Sequence, residues 1–386
     1  MCTCTHFTCG LRKNEQDVNS MRIEEMKLEN FEIAYPLQNI APLDKILFLD
    51  IETTGFTAKS SNLYMIGAAY YRDDCWRIQQ FFAQKYEEEK SILEAFFSFA
   101  SSFTHLIHFN GNNFDIPFLM QKCRLYSLPY SFDDHDGIDL YKRISPYKFF
   151  LNISNCKQKT LESFLGIKRD DKYNGGELIG VYHNYVNQHS DEAEKLLFMH
   201  NLDDMKGMLQ LLPLLAYYDL FNCELRAKKV QAHSYQDYHG NNRHVLLMKL
   251  KLPMSLPHPV STMANGCYFN AEGVEGTLKV PIYDGELKYF YSDHKDYYYL
   301  PGEDLAIHKS VASFVDKAHR IQANASNCYT RKTSSFLPQW EALVEPCFKR
   351  DYKSRELFFE LTDDVKKNRK LFSAYASHLL NKMVQI

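Results

Sequence analysis

Apolar positions run along this chain in two rhythms, and the change from one to the other marks out its elements. Residues 46–51, ILFLDI, are an almost unbroken apolar run ending at a turn, TTG. Such a run predicts a strand buried on both faces. Asn62–Tyr71 and Trp76–Ala83 read as two more strands, joined through the polar Arg72–Cys75 as a hairpin or meander. From 88 to 102 the period lengthens, with Ile92, Leu93, Phe96, Phe97 and Ala100 at helical spacing. HLIHF at 105–109 is another short strand, leading through NGNN into a helix from Phe114 to Tyr126. Ile138–Tyr141 is expected as a strand, Lys159–Leu165 and Gly176–Tyr185 as helices, and Asp191 to Pro213 or a little beyond as one long helix. Strands grouped first, then alternating with helices, predict an α/β domain whose mixed sheet is flanked by helices.

The pattern lapses twice. Residues 1–39 are expected as a flexible leader in which Met21 opens a more ordinary sequence and is a candidate start. Residues 222–243 are polar, show neither period, and are expected as a linker between a first domain, 40–221, and a second, 244–386. In the second, HVLLMKLKL, GTLKVPIY, ELKYFY and DYYYL are strand-like. LAIHKSVASFVDKAHR and residues 364–384 are helix-like, so a smaller α+β domain is expected.

Length supports that division, since 386 residues exceed what a single core serves. No run approaches the roughly 18–20 apolar residues of a membrane span; the best candidate, Leu209–Phe221, is broken by Pro213 and Asp219. The first residues lack the apolar core of a signal peptide, which leads to the expectation of a cytoplasmic protein with no membrane partner. The ten cysteines are scattered and suggest no disulfide framework. Cys2, Cys4 and Cys9 lack a fourth ligand at a familiar zinc spacing.

The net charge of −3 excludes a strongly basic, coat-like nucleic-acid binder. It is the sum of two unlike halves. Residues 1–225 hold 22 basic and 31 acidic side chains, whereas residues 226–386 hold 23 and 17. The basic half, with Lys228, Lys229, Arg331, Lys332, Lys349, Arg350, Arg369 and Lys370, could hold a nucleic-acid strand.

Three groups of carboxylates carry the candidate chemistry. Asp50 and Glu52 stand at i and i+2 at the end of the first apolar strand, so both point to one face. Two buried acids on one face repel unless a cation holds them, and hard oxygen donors suit Mg²⁺ or Mn²⁺. Asp115 follows HLIHF through NGNNF and opens a helix at the end of a strand, where an α/β sheet collects its ligands. Asn112 or Asn113 can cap that helix, leaving Asp115 free, while Asn110 and Asn113 are placed to steer a phosphate or a metal-bound water. The third group is HNLDD at 200–204. With His200 as origin and about 100° per residue, Leu197, Phe198, Met205, Met208, Leu212 and Leu215 fall between roughly 60° and 160°. Asp204 falls at about 40°, beside that stripe, and Asp203 at about 300°, away from it. His200 is one turn before Asp204 on the same helix surface.

In order and spacing, ILFLDIETTG, HFNGNNFD and HNLDD resemble the three exonuclease motifs of the DnaQ-like 3′–5′ exonucleases, within the ribonuclease-H-like superfamily. More narrowly they resemble the YprB-type ribonuclease-H-like domain, as does KTLESFLGIKRDD at 159–171. The resemblance covers about residues 40–216 and implies a ribonuclease-H-like mixed sheet. It also implies four acids, Asp50, Glu52, Asp115 and Asp204, that bind two divalent cations, Mg²⁺ or Mn²⁺. The best-studied members place a Tyr four residues before the last Asp, or a His five before; here His200 stands at the Tyr spacing, the HN-x-x-D arrangement of the YprB-type branch.

The expectation is a metal-dependent 3′–5′ exonuclease acting on a single-stranded end of DNA or RNA. His200 would accept the proton of the attacking water. Thr53, Thr54, Gly55, Asn110 and Asn113 would contact substrate. The alternatives are a nucleic-acid-binding module that keeps its acids and an endonuclease on the same fold.

Overall fold

A computed structural model describes residues 21–169, 175–236 and 239–384. Cys2, Cys4 and Cys9 lie outside them. Chain contacts divide the protein into two units. The first comprises the described residues up to Lys142 together with Gly166–Leu212, and the second Arg143–Leu165 together with the residues from Pro213 onward.

The first unit is built on a six-stranded sheet. Its strands are β1 (Arg22–Leu28), β2 (Ile46–Thr53), β3 (Leu63–Arg72), β4 (Cys75–Phe82), β5 (His105–His108) and β6 (Asp136–Asp139), in the order β1-β4-β3-β2-β5-β6. β1, β4, β3 and β2 pair antiparallel, while β2, β5 and β6 pair parallel, so the sheet is mixed. Asp73 and Asp74, both at positive φ, turn β3 into β4 through the two-residue hairpin that the polar connection predicted. β1 lies within the stretch expected as a flexible leader. Its side chains are mostly exposed, and an edge strand held by backbone pairing leaves little apolar pattern to read.

Helices cover both faces. α1 (Glu89–Ala100) and α2 (Asp115–Leu125) bury Ile92, Phe96, Phe118 and Leu119 against Leu47, Leu49, Ile51 and Ile66. α5 (Gly175–Gln188) and α6 (Asp191–Gln210) bury Tyr182, Tyr185, Leu197 and Phe198 against Tyr64, Met65 and Phe82. Period two along β2 therefore turns Leu47, Leu49 and Ile51 to the first face and leaves Asp50 and Glu52 on the other. α6 packs on β2 and β3. Its start is well specified: Ser190 caps Ala193 N–H, and Asp191, Glu192 and Glu194 occupy the first turn. α3 (Leu140–Ile144) follows β6 directly.

The second unit includes α4 (Gln158–Phe164) and α7 (Leu215–Asn222), then a meander of β7 (Arg226–Gln236), β8 (Asn242–Ala264) and β9 (Cys267–Pro281). Asn265 and Gly266, both at positive φ, form the β8–β9 turn. β10 (Tyr283–Phe290), β14 (Tyr329–Gln339) and β15 (Leu357–Glu360) make a second sheet; β11 (Tyr297–Leu300), β12 (Leu305–His308) and β13 (Ile321–Gln322) make a third. The short helices α8 (Lys309–Ala312) and α9 (Asp363–Lys367) precede the terminal α10 (Arg369–Val384), which packs on β7, β8 and β9.

Two expectations are corrected here. The polar stretch expected as a linker contains strand β7, which is exposed on most positions and so lacks a period-two signature. LAIHKSVASFVDKAHR is not one helix: Leu305–His308 pairs with Tyr297–Leu300, and only Lys309–Ala312 is α-helical. The C-terminal region is accordingly richer in strand than expected. No helix among the described residues is long and apolar enough to cross a membrane.

Candidate active site

The parallel strands β2, β5 and β6 bring their carboxyl ends together, and each contributes a polar side chain there. Asp50 and Glu52 come from β2, His108 from β5 and Asp139 from β6. Asp139 is buried and organises the loop after β5. Its Oδ1 accepts from the backbone N–H of Asn110 at 2.9 Å and of Lys142 at 3.3 Å, and its Oδ2 from that of Asn112 at 3.4 Å. Gly111 N–H donates to His108 Nδ1 at 3.1 Å, and a Cβ at Gly111 would stand 2.7 Å from that ring. Burial holds the His108 imidazole below its ordinary pKa against the pull of Asp139. The loop thereby delivers Asp115 to the first turn of α2. Asp115 is buried, and its Oδ1 accepts from Ile51 N–H at 3.2 Å, between Asp50 and Glu52. No side chain caps α2; instead Gly111 C=O accepts from Phe114 and Ile116 N–H. The capping expected of Asn112 or Asn113 is absent because Asn113 Nδ2 donates to Asn110 Oδ1 at 2.7 Å, while Asp139 holds Asn112 by its backbone.

α6 supplies the rest. Glu52, His200 and Asp204 each present one ligand-capable atom within 4.8 Å of the others. His200 Nε2 stands 3.3 Å from Asp204 Oδ2 and 3.7 Å from Glu52 Oε1. His200 is buried, not a surface side chain, because α6 lies flat on the sheet. Arg169 bonds Asp204 and brings a positive charge into the cluster. Burial lifts the Asp50 carboxyl well above its ordinary range, and the charges of Asp204, Glu52 and Asp115 push it the same way, against Arg169. Burial likewise raises Asp115 to about 7, although the backbone N–H donors of Ile51 and of Asp115 itself oppose it. Burial and mutual repulsion disfavour the charged forms of Asp50 and Asp115, and a cation among their oxygens would relieve both. Their oxygens, with one imidazole nitrogen, form a donor set of the kind that holds a metal ion.

Three residues to which the sequence assigned no role complete the site. Asn201 is fully buried; its Nδ2 donates to Asp50 Oδ2 at 3.1 Å, and its Oδ1 accepts from Gln80 Nε2 at 3.0 Å. Gln80 Nε2 also donates to Phe198 C=O at 2.9 Å. Gly67 lies opposite Asp50 in the ladder and leaves the space that the Asn201 amide fills. A signal for Asn201 was available. On the helical wheel it falls at about 100°, near the middle of the apolar stripe, where a polar side chain needs a partner.

The residues expected to contact substrate are partly committed elsewhere. Thr53 Oγ1 donates to Gly55 C=O at 2.8 Å, and Thr54 Oγ1 accepts from Asn62 N–H at 2.8 Å, so both hydroxyls shape the turn. Gly55 is packed against Ser61, whose Oγ would lie 2.6 Å from an added Cβ.

The family described as RNase_H superfamily matches residues 47–216. Their mixed sheet flanked by helices is an RNase H-like fold, and the match spans a little under half of the chain. The matched span takes in all five of Asp50, Glu52, Asp115, His200 and Asp204. No curated protein matches the chain. Among solved structures it is similar to the family B DNA polymerase from the hyperthermophilic archaeon Pyrobaculum calidifontis. That match has 13% identity and a TM-score of 0.37, over 72% of this chain and 39% of the polymerase. E. coli Exonuclease I in complex with a dT13 oligonucleotide matches with 12% identity and a TM-score of 0.29, over 53% of this chain and 54% of the exonuclease. Apo exonuclease I matches with 14% identity and a TM-score of 0.28, over 54% and 56%. The chain thus spans under half of the polymerase and little more than half of the exonuclease.

Proposed function

We propose that this protein is a metal-dependent nuclease of the YprB-type branch that hydrolyses phosphodiester bonds, releasing nucleotides from a 3′ end. The observation that carries the reading is the convergence of Glu52, His200 and Asp204 ligand atoms within 4.8 Å, beside the half-buried Asp50. Asp50, Glu52, Asp115 and Asp204 would hold two divalent cations, Mg²⁺ or Mn²⁺. Bound there, such cations supply charge neutralisation at the phosphate and a more acidic water. The chain's own residues do the rest. Asn201 fixes the Asp50 carboxylate through its Nδ2. Asp139 holds the loop that sets Asp115. His200 Nε2 faces the acids and takes the proton of the attacking water, a role suited to an imidazole.

The test uses end-labelled linear and circular single strands with Mg²⁺ or Mn²⁺, comparing the native chain with Asp50→Asn. Loss of the linear strand with circles intact, abolished in Asp50→Asn, is the expected result. Cut circles would make it an endonuclease, and binding without cleavage of either would make it a binding module. Full activity in Asp50→Asn would overturn the site assignment.

A further inference from the structure

The second unit carries a cavity that the acid cluster does not explain. It measures about 590 Å³ and lies between the start of β7 and the start of α10. Arg226, Lys228, Arg369 and Lys370 line it, with Glu224 as the acid on its wall. All four cations are exposed, and none has an ion-pair partner among the described residues.

Three features concentrate this charge where a fold normally avoids it. First, Arg369 and Lys370 occupy the opening turn of a sixteen-residue helix that has no acid there. The helix dipole is positive at that end and favours acids, as in α6 with Asp191, Glu192 and Glu194. Second, Lys228 stands at an irregularity where the β7–β8 register slips between Ala227 and Lys229. Such a bulge re-aims a side chain. Third, Arg226 faces a like charge across the ladder, Lys251, whose other neighbour is Glu275. The floor is fixed, since Ser373 Oγ accepts from Ala227 N–H at 2.9 Å.

We infer that this cavity binds the phosphodiester backbone of a nucleic acid. Four cations spread around one concavity match several phosphates along a strand better than a single small anion. Two of them are guanidinium groups, whose forked donors suit phosphate oxygens. No aromatic ring is among the lining residues, so bases would not stack there and binding would be indifferent to sequence. The inference rests on the nuclease reading for its choice of polyanion, and it adds a holding site outside the acid cluster.

The test reads binding, not cleavage. The full chain in EDTA is titrated into fluorescein-labelled poly(dT) over a range of salt. It is compared with Arg226→Ala/Lys228→Ala/Arg369→Ala/Lys370→Ala and with the charge-preserving Arg226→Lys/Lys228→Arg/Arg369→Lys/Lys370→Arg. Each single-strand phosphate contact contributes about 0.7 to the slope of log K against log salt, so the alanine variant should lose about 2–3 from that slope. It should also bind at least tenfold more weakly, and the charge-preserving variant should bind as the native chain does. If the alanine variant fails to fold, Lys228→Glu/Lys370→Glu reads the same slope with two exposed changes. An unchanged slope in a folded variant overturns the site, as does displacement of poly(dT) by polyglutamate at lower concentration than by unlabelled poly(dT). A native chain that binds in this way yet cleaves nothing with Mg²⁺ or Mn²⁺ removes the nuclease reading and leaves the cavity. Cleavage with an unchanged slope does the reverse.

Discussion

Gly67 makes room for Asn201. A Cβ at position 67 would lie 2.4 Å from Asn201 Oδ1, closer than any packed side chain tolerates. Gly67 pairs with Asp50 across β3 and β2, so the space it leaves opens beside that carboxylate. The Asn201 amide fills this space and links Gln80 to Asp50. One missing side chain on a central strand thereby sets the position of a carboxylate on the next.

Gly67→Ala should therefore act on both stability and the site. Overpacking a filled core costs about 1–3 kcal/mol, which would appear as a lower Tm. Displacing the Asn201 amide should also weaken Mn²⁺ binding, measured by calorimetry well below the Tm. An Ala variant with native Tm and native Mn²⁺ affinity would show that the amide has another place to go.

Asn201 also shows how far the sequence could be read. The strand ILFLDI, the helix beginning near Asp115 and the long helix carrying Asp204 were legible because apolar period and acid spacing coincide there. Residue 201 lies in the same motif, but it is a neutral amide, marked only by its place in the apolar stripe and not by acid spacing. Gln80 and Asp139 were less accessible still. Each acts through partners far along the chain, Gln80 on Asn201 and Asp139 on the 110–112 loop, and no local pattern records such a pairing. The strands β1 and β7 were missed for a different reason. Exposed edge strands are held by backbone hydrogen bonds, and the residue pattern carries little trace of them.

The buried acids predict how stability responds to pH without metal. Asp115 is raised to about 7 and Asp50 is raised well above its ordinary value, both by burial first. A carboxyl raised by folding stabilises the fold fully only below its unfolded pKa. That contribution is lost as pH rises through the folded value. In EDTA the protein should thus be less stable at about pH 8 than at about pH 5, by several degrees in Tm. Asp115→Asn should flatten this dependence, and Mn²⁺ should restore the Tm at the higher pH. A Tm in EDTA that climbs over the same range would contradict the burial of these groups.

His200 can be a ligand, a base or both, and its position between Asp204 and Glu52 permits a clean separation. His200→Ala should slow cleavage by about 10²–10⁴ if the imidazole moves a proton. Should Mn²⁺ affinity stay native while kcat falls, the base role stands alone. If affinity falls as well, Nε2 is a ligand. Equal kcat and equal affinity would leave His200 with only a packing role.

A second buried pair guards the turn that follows Glu52. Lys122 Nζ stands 2.7 Å from Glu89 Oε1, and both side chains are almost wholly buried. Lys122 also donates to Ser61 C=O at 2.6 Å, Glu89 Oε1 accepts from Leu63 N–H at 2.5 Å, and Tyr126 OH donates to Glu89 Oε2 at 2.5 Å. The pair thus pins the far end of the turn whose near end carries Thr53 and Thr54. Removing one partner strands a buried charge, so Lys122→Met or Glu89→Gln should each cost about 3–5 kcal/mol in urea unfolding. The double variant strands no charge, and its loss should be smaller than the sum of the two, with a coupling above about 1 kcal/mol. Because the turn leads directly from the acids of β2, both single variants should also lose activity at temperatures where they remain folded. Additive losses in the cycle would mean that the two side chains act on the turn independently.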